Sequence, residues 1–272
     1  MDGHTIPASP SDMNAKYENA IRVKLDALMR GALTADQAKE KVQRIDPAGC
    51  RAYRICALYP RERLGVLEDK IYAALSADEE MAQKFICMEW RRMLLILIHE
   101  EDPPRDCAEV QADIQAMLAL AQISPVGLNM GGSERMTDAA QMGMALNEAV
   151  YAAKAARLTG RGAMCGQELG LYAYLYPMSE NPFVCSQCRS QLQRIREYDA
   201  QNRTSLEQTA RVYVASSMEI AATAKALFQH PNTVRYRLTK IQKLMELEGA
   251  AFAPMLSLMI HLSQILEDEG RA

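Results

Sequence analysis

The spacing of apolar residues changes several times along the chain, and each change predicts an element. Between 15 and 45 apolar positions recur at helical spacing with a break near Gly31-Ala-Leu-Thr34, which predicts two helices. Thr34 followed by Gln37 is the signature of a capping box at the start of the second. The period then shortens, with Tyr53, Ile55 and Ala57 on one face of a strand over Arg51 to Leu58. Leu64, Leu67, Ile71 and Leu75 return to helical spacing. Lys84 to Met88 and Met93 to His99 are β-prone runs joined through Glu89-Trp90-Arg91, a hairpin whose turn lacks glycine. Val110, Ile114 and Met117 mark a further helix, Pro125 to Met130 a strand, Thr137 to Leu158 a long helical region, and Gly162 to Cys165 a last short strand.

The order β-α-β-β-α-β-α-β predicts a palm-like antiparallel sheet with helices on one side, and the chain beyond 205 is helical throughout. The fold class expected is therefore α+β, a palm-like antiparallel sheet domain followed by an all-α helix-turn-helix domain. The expected organisation is a disordered lead-in over 1–14, a short helical region over 15–48, the sheet domain over 49–177, a polar connector helix over 178–204 and the helix-turn-helix domain over 205–268.

The C-terminal pattern carries the chemistry. Leu206 to Val214 reads as a first helix with Leu206, Ala210 and Tyr213 or Val214 on one face. Ser216 and Glu219 form a capping signature for a second helix, Ile220 to Leu227, whose small residues allow close packing. Phe228-Gln229-His230 makes the turn, and Pro231 suits the first position of a third helix, where its missing N–H is not needed. Val234, Leu238 and Ile241 then face the core. The opposite face gathers Asn232, Tyr236, Thr239 and Lys243, flanked by Thr233, Arg235 and Lys240. Amide, hydroxyl, phenol and guanidinium groups near a helix N-terminus are the side chains that read base edges in a major groove. Asn232, Thr233, Arg235 and Tyr236 are the base-edge candidates; His230, Arg237, Lys240 and Lys243 are the phosphate candidates, which hold register without reading sequence. The same pattern also fits an amphipathic helix whose cations only face water.

Charge is compatible with the first of these readings and does not by itself decide between them. Seven Lys or Arg against two acids give +5 between 203 and 243, inside a chain of net charge −3. Positive charge gathered beside one motif is the footprint of a phosphate binder and makes double-stranded DNA the expected partner.

Composition sets the remaining bounds. The 272 residues suffice for two small domains, and 49% hydrophobic residues with 14 Gly and 11 Pro describe a folded, mainly helical chain. Wholly apolar runs such as Met93 to Ile98 are far short of a membrane span, and no leader pattern opens the chain, so the expected location is cytoplasmic. Seven scattered cysteines, an odd number, suit reduced thiols. The close pair Cys185-Ser-Gln-Cys188 has no second Cys/His pair to complete a zinc site. It reads as buried or incidental thiols, with redox sensing the other reading. His99-Glu100-Glu101-Asp102 before Pro103-Pro104 reads as a solvated loop rather than a metal site. The 17 methionines read as adaptable core filling. No cofactor or metal is expected.

Two resemblances add to this. Leu206-x-x-Thr209, Ala224-x-x-Leu227-Phe228 and His230-Pro-Asn-Thr-Val-Arg-Tyr-Arg-Leu238 closely resemble the C-terminal domain of the PucR/CdaR family of bacterial transcription regulators. Pro231 stands where that family commonly has Arg, which removes one possible DNA contact. Val126-Gly-Leu, Ala149-Val-Tyr-Ala-Ala-Lys154 and Gly160-Arg161-Gly162 resemble the second half of a GGDEF domain, the diguanylate cyclase fold. The PucR/CdaR family carries a degenerate domain of that kind upstream of its helix-turn-helix, so the two resemblances agree in order. A cyclase would need glycines and carboxylates in the central hairpin for guanine nucleotide and Mg²⁺. Here the hairpin reads Met88-Glu-Trp-Arg-Arg92, Tyr59-Pro-Arg-Glu-Arg63 lacks the metal carboxylate, and Gly131-Gly-Ser-Glu-Arg135 follows a later strand. The resemblance implies a non-catalytic, dimeric regulator of a metabolite-responsive catabolic operon, with a small-molecule effector that the short N-terminal region does not identify. The alternative is a nucleotide- or metabolite-binding receptor derived from a cyclase fold.

Overall fold

The computed structural model describes residues 23–31, 33–46, 52–60, 64–78, 84–100, 104–247 and 249–270. The expected lead-in and the first part of the N-terminal helical region lie outside these. The chain divides into two compact units, Met1–Gly170 and Leu171–Ala272.

In the first unit residues 23–29 are helical, and α1 (Ala35–Ile45) begins at the expected capping box. Thr34 Oγ1 accepts the Gln37 N–H at 3.3 Å, and Gln37 Oε1 accepts the Thr34 N–H at 3.0 Å. There follow β1 (Tyr53–Pro60), α2 (Leu64–Ala77), β2 (Phe85–Trp90), β3 (Met93–His99), α3 (Cys107–Leu120), β4 (Leu128–Gly132), α4 (Met142–Thr159) and β5 (Ala163–Cys165). This is the element order that the apolar pattern predicts.

The five strands form one sheet in the order β2-β3-β1-β4-β5. Every pair is antiparallel except β4 with β5, which run parallel. Successive side chains of a strand point to opposite faces. On one face Cys56, Leu58, Leu94, Ile96 and Ile98 pack with Leu67 and Ile71 of α2 and Ile114 and Met117 of α3. The other face meets α4. A Cβ built on Gly131 would stand 2.1 Å from Ala149 O and Ala153 N, so only glycine admits this approach of helix to sheet. Helices thus cover both faces, not one as expected. The reason is visible in β1 and β3, whose residues are almost all buried and which, Arg54 and His99 apart, read as apolar runs, as doubly covered strands do.

Three other expectations need correction. Trp90 is not in the hairpin turn: it ends β2 opposite Met93, buried, with Nε1–H donating to Asp26 Oδ1 at 2.9 Å. The turn is Arg91-Arg92, where Arg91 adopts φ 56° and lays its guanidinium 4.2 Å from the Trp90 ring. Gly131 and Gly132 are part of β4, not of a loop after it. Glu100, expected in a solvated loop, is buried. Its carboxylate accepts from Arg54 Nε at 2.9 Å, with Arg135 at 3.4 Å and Arg105 at 3.6 Å. A buried carboxylate needs such partners, and these arrive from three separate segments. Glu101 and Asp102 lie outside the described residues.

Among its described residues the elements of the second unit are all helices: α5 (Tyr172–Ser179), α6 (Pro182–Asn202), α7 (Leu206–Ala215), α8 (Ile220–Ala226), α9 (Pro231–Leu244) and α10 (Phe252–Asp268). Asn181 caps α6 by accepting from the Phe183 and Val184 N–H groups, with Pro182 in the first turn. Cys185 and Cys188 are both buried on α6. The Cys185 thiol donates to Ser179 O at 3.0 Å and the Cys188 thiol to Met259 O at 3.5 Å. Burial pushes the Cys188 thiol up to about 11, and it pushes Cys56 and Cys87 of the first unit up to about 12. These are structural thiols kept protonated. Helix α10, with the short turn before it, is long and apolar enough by composition to cross a membrane. It places Leu256, Ile260, Leu262, Ile265 and Leu266 in the core of this unit, packed against α5, α6 and α7.

Candidate nucleic-acid interface

The three helices α7, α8 and α9 form the motif, and local chemistry fixes each end. Ser205 precedes α7 but makes no side-chain cap. The cap comes from α6: Asp199 accepts the Leu206 N–H on Oδ1 at 2.8 Å and the Glu207 N–H on Oδ2 at 3.0 Å. The same Oδ1 accepts the Thr204 hydroxyl. A carboxylate at the positive end of a helix is favourable twice over, by hydrogen bond and by dipole. The polar helix and the first helix of the motif are therefore joined at their junction.

The expected capping pair Ser216–Glu219 does not form. Ser216 ends α7, its N–H bonding Val212 O, and Glu219 precedes α8 without a side-chain cap. Between them Ser217 and Met218 take left-handed φ values of 55° and 64° and reverse the chain, so Ser216 is not placed to cap α8. Thr223, Ala224 and Ala210 are buried, as small residues at a close crossing should be, and Leu206 is buried with them.

The turn from α8 to α9 is Leu227 to His230. Phe228 holds φ 53° and is 94% exposed, a combination that the apolar pattern did not single out. His230 caps α9 through Nδ1, which accepts the Asn232 N–H at 3.2 Å, and Pro231 occupies the first turn as expected.

On α9, Val234, Leu238 and Ile241 are buried, which sets the helix rotation. Asn232, Arg235, Tyr236, Thr239 and Lys243 lie together on the exposed face, with Thr233 half-buried beside them. Arg235 donates to Asn232 Oδ1 at 2.7 Å, so amide and guanidinium already hold each other side by side. Tyr236 is 71% exposed. Two phosphate candidates have partners inside the unit. Arg237 is half-buried and donates to Thr209 Oγ1 of α7 at 3.1 Å, and Lys240 places Nζ 4.4 Å from the Tyr198 ring of α6. Lys243 and His230 are exposed.

Comparison with known proteins fits this geometry. Residues 206–263 match the family model of the PucR C-terminal helix-turn-helix domain. The chain carries a PucR helix-turn-helix. Among curated proteins it is similar to the proline-responsive transcriptional activator PutR of Bacillus subtilis (strain 168), 24% identical over 141 residues, 51% of this chain and 34% of that protein. It is also similar to the DNA-binding transcriptional activator AdeR of the same organism, 26% identical over 81 residues, 30% of this chain and 19% of that one. The chain thus spans about a third of one relative's length and about a fifth of the other's. A solved structure, the regulator of polyketide synthase expression from Bifidobacterium adolescentis, is 16% identical with a TM-score of 0.41, over 97% of this chain and 95% of that one.

The PucR domain is braced by an ion network. Arg196 of α6 grips Glu207 of α7 with two bonds, at 2.9 and 3.0 Å, and Arg211 reaches the same carboxylate at 2.8 Å. Glu267 of α10 accepts from both arginines. The Arg196 guanidinium, opposed by partial burial and aided by Arg211, holds the Glu207 carboxyl below the usual carboxylate range. None of these four residues stands out in the sequence, because their pairing depends on how α6, α7 and α10 meet.

Proposed function

We propose that this chain is a sequence-specific, DNA-binding transcription regulator of a metabolite-responsive catabolic operon, without catalytic activity, working in the cytoplasm as a homodimer. The observation that carries the reading is the exposed face of α9, where Asn232, Arg235 and Tyr236 stand together near the helix N-terminus inside the matched PucR segment. Groups of this chemistry at that end of a recognition helix are what base-edge readout requires. The relatives named as activators support the regulatory part.

The degenerate GGDEF-like domain over 49–177, which lies in the first unit as far as Gly170, is proposed as the platform for dimerisation or effector sensing. Its element order supports that reading, as does the seating of α4 on Gly131. The Arg91-Arg92 hairpin turn puts cations where a cyclase would need metal-binding carboxylates.

The test is selection of genomic fragments by the purified protein at near-physiological salt, with Arg235→Ala/Tyr236→Ala as the control. A recurrent two-fold-related site, its half-sites about 34 Å or a multiple apart, recovered by the parent and lost by the control, is the expected result. Equal, salt-sensitive recovery of all fragments by both proteins would reject sequence-specific reading.

A further inference from the structure

Two thiols of the first unit meet in a cavity of about 70 Å³ that opens to solvent. Cys107, the first residue of α3, and Cys165, the last of β5, both line it, and their side chains are in hydrogen-bond contact. Both are half-buried. Arg54 stands beside them. Its Nε is fixed by Glu100 Oε1 at 2.9 Å and its Nη2 by Arg105 O at 2.6 Å. This directs Nη1 to Cys107 Sγ at 3.6 Å and to Ser133 O at 3.4 Å.

Among the described cysteines no other pair is so placed. Cys56 and Cys87 are both register partners of Ile96 in β3, so a strand holds them about 9–10 Å apart, beyond disulfide reach. Cys185 and Cys188 donate to different carbonyls, Ser179 O and Met259 O. The two sulfurs of the cavity also differ from each other. Burial, then the Cys107 side chain and the Glu168 carboxylate, push the Cys165 thiol up to about 12, so it keeps its proton. Cys107 has the guanidinium as donor, and a cation beside an accessible sulfur is the setting of a reactive cysteine.

We propose that Cys107 and Cys165 are a reversible redox pair, oxidised to a disulfide by a hydroperoxide, with Cys107 as the attacking thiol. Cys107 Sγ gives up its proton and attacks one peroxide oxygen. An S–O bond forms, the O–O bond breaks, and the leaving hydroxide takes that proton to become water. Cys165 Sγ then attacks Cys107 Sγ. The S–S bond forms, the S–O bond breaks, and the second hydroxide leaves as water with the Cys165 proton. Two thiols are oxidised and one hydrogen peroxide is reduced to two waters. The cavity admits this oxidant, since a single water needs only about 10–15 Å³ of such space. An external thiol reverses the bond by exchange. The disulfide ties the start of α3 to the edge strand β5, and it gives the first unit a modification site that the regulator reading does not contain.

The experiment treats the reduced full chain, without DNA, with a few equivalents of hydrogen peroxide. The chain is then alkylated under denaturing, non-reducing conditions and digested with trypsin and a Glu-specific protease. Cleavage after Glu168 and Glu180 separates Cys165 from Cys185 and Cys188. Mass spectrometry should find a linked peptide pair carrying Cys107 and Cys165 that disappears on treatment with dithiothreitol. In Cys165→Ser the oxidation should stop at the sulfenic acid, which dimedone labels on Cys107, whereas Cys107→Ser should leave Cys165 unlabelled. A parent chain without the linked pair would overturn the proposal, and this measurement needs no variant to fold. A link from either residue to another cysteine, a pair found only in a covalent dimer, or dimedone on Cys165 in Cys107→Ser would overturn it equally. Because DNA is absent, failure here is separable from failure of the regulator reading.

Discussion

Arg235 and Arg237 are two positions apart on α9, yet the helix turns one to solvent and the other towards Thr209. Their replacements should therefore fail differently. Arg235→Ala and Tyr236→Ala are expected to weaken binding to the selected site by about 1–3 kcal/mol with melting unchanged, measured by fluorescence anisotropy beside thermal denaturation. Arg237→Ala should lower stability by about 1 kcal/mol, because it breaks the bond between α9 and α7, with any loss of DNA affinity following from that. Lys243→Ala should leave site preference intact and reduce the salt slope of binding by about one. If the Arg235 or Tyr236 variants melted early, those side chains would be structural and the face assignment wrong.

At the scale of elements, the junction of α6 and α7 matters more than the ends of either helix. Asp199 supplies the cap that Ser205 does not, so Asp199→Ala should cost about 0.5–2 kcal/mol, measured by urea denaturation, while Ser205→Ala should cost little. The elements themselves were legible. The strand and helix order of the first unit, the Thr34–Gln37 capping box, Pro231 at the head of α9 and the buried stripe Val234, Leu238 and Ile241 all follow from local spacing. What was not legible depends on chain segments meeting. Asp199 caps from another helix. Glu100 looks like a loop residue until Arg54, Arg105 and Arg135 converge on it. Ser216 and Glu219 have capping letters, but the left-handed pair between them displaces the cap. The exposed face of α9 was read correctly as a face, whereas the inward bonds of Arg237 and Lys240 needed α6 and α7 in place.

At the scale of the whole molecule, acid should act on the second unit through the α6–α7–α10 ion network. Glu207 titrates below its ordinary value, so the stability it contributes is complete above the unfolded-state pKa of about 4.3 and is lost as pH falls through the lower folded-state value. The melting temperature should drop over that window. Glu207→Gln, less stable near neutral pH, should show a shallower acid slope, and an unchanged slope would remove Glu207 as its source.

The silent thiols give each unit its own clock. Alkylating reagents attack the thiolate, and Cys56 and Cys87 in the first unit, like Cys188 in the second, are held almost wholly as thiols near neutral pH. Iodoacetamide must therefore wait for the surrounding structure to open, and peptide mass spectrometry can time that opening separately in each unit. Different labelling rates for Cys56 and Cys188 would mean that the sheet and the helices come apart independently, and that one half of this protein can unfold and recover while the other stays intact.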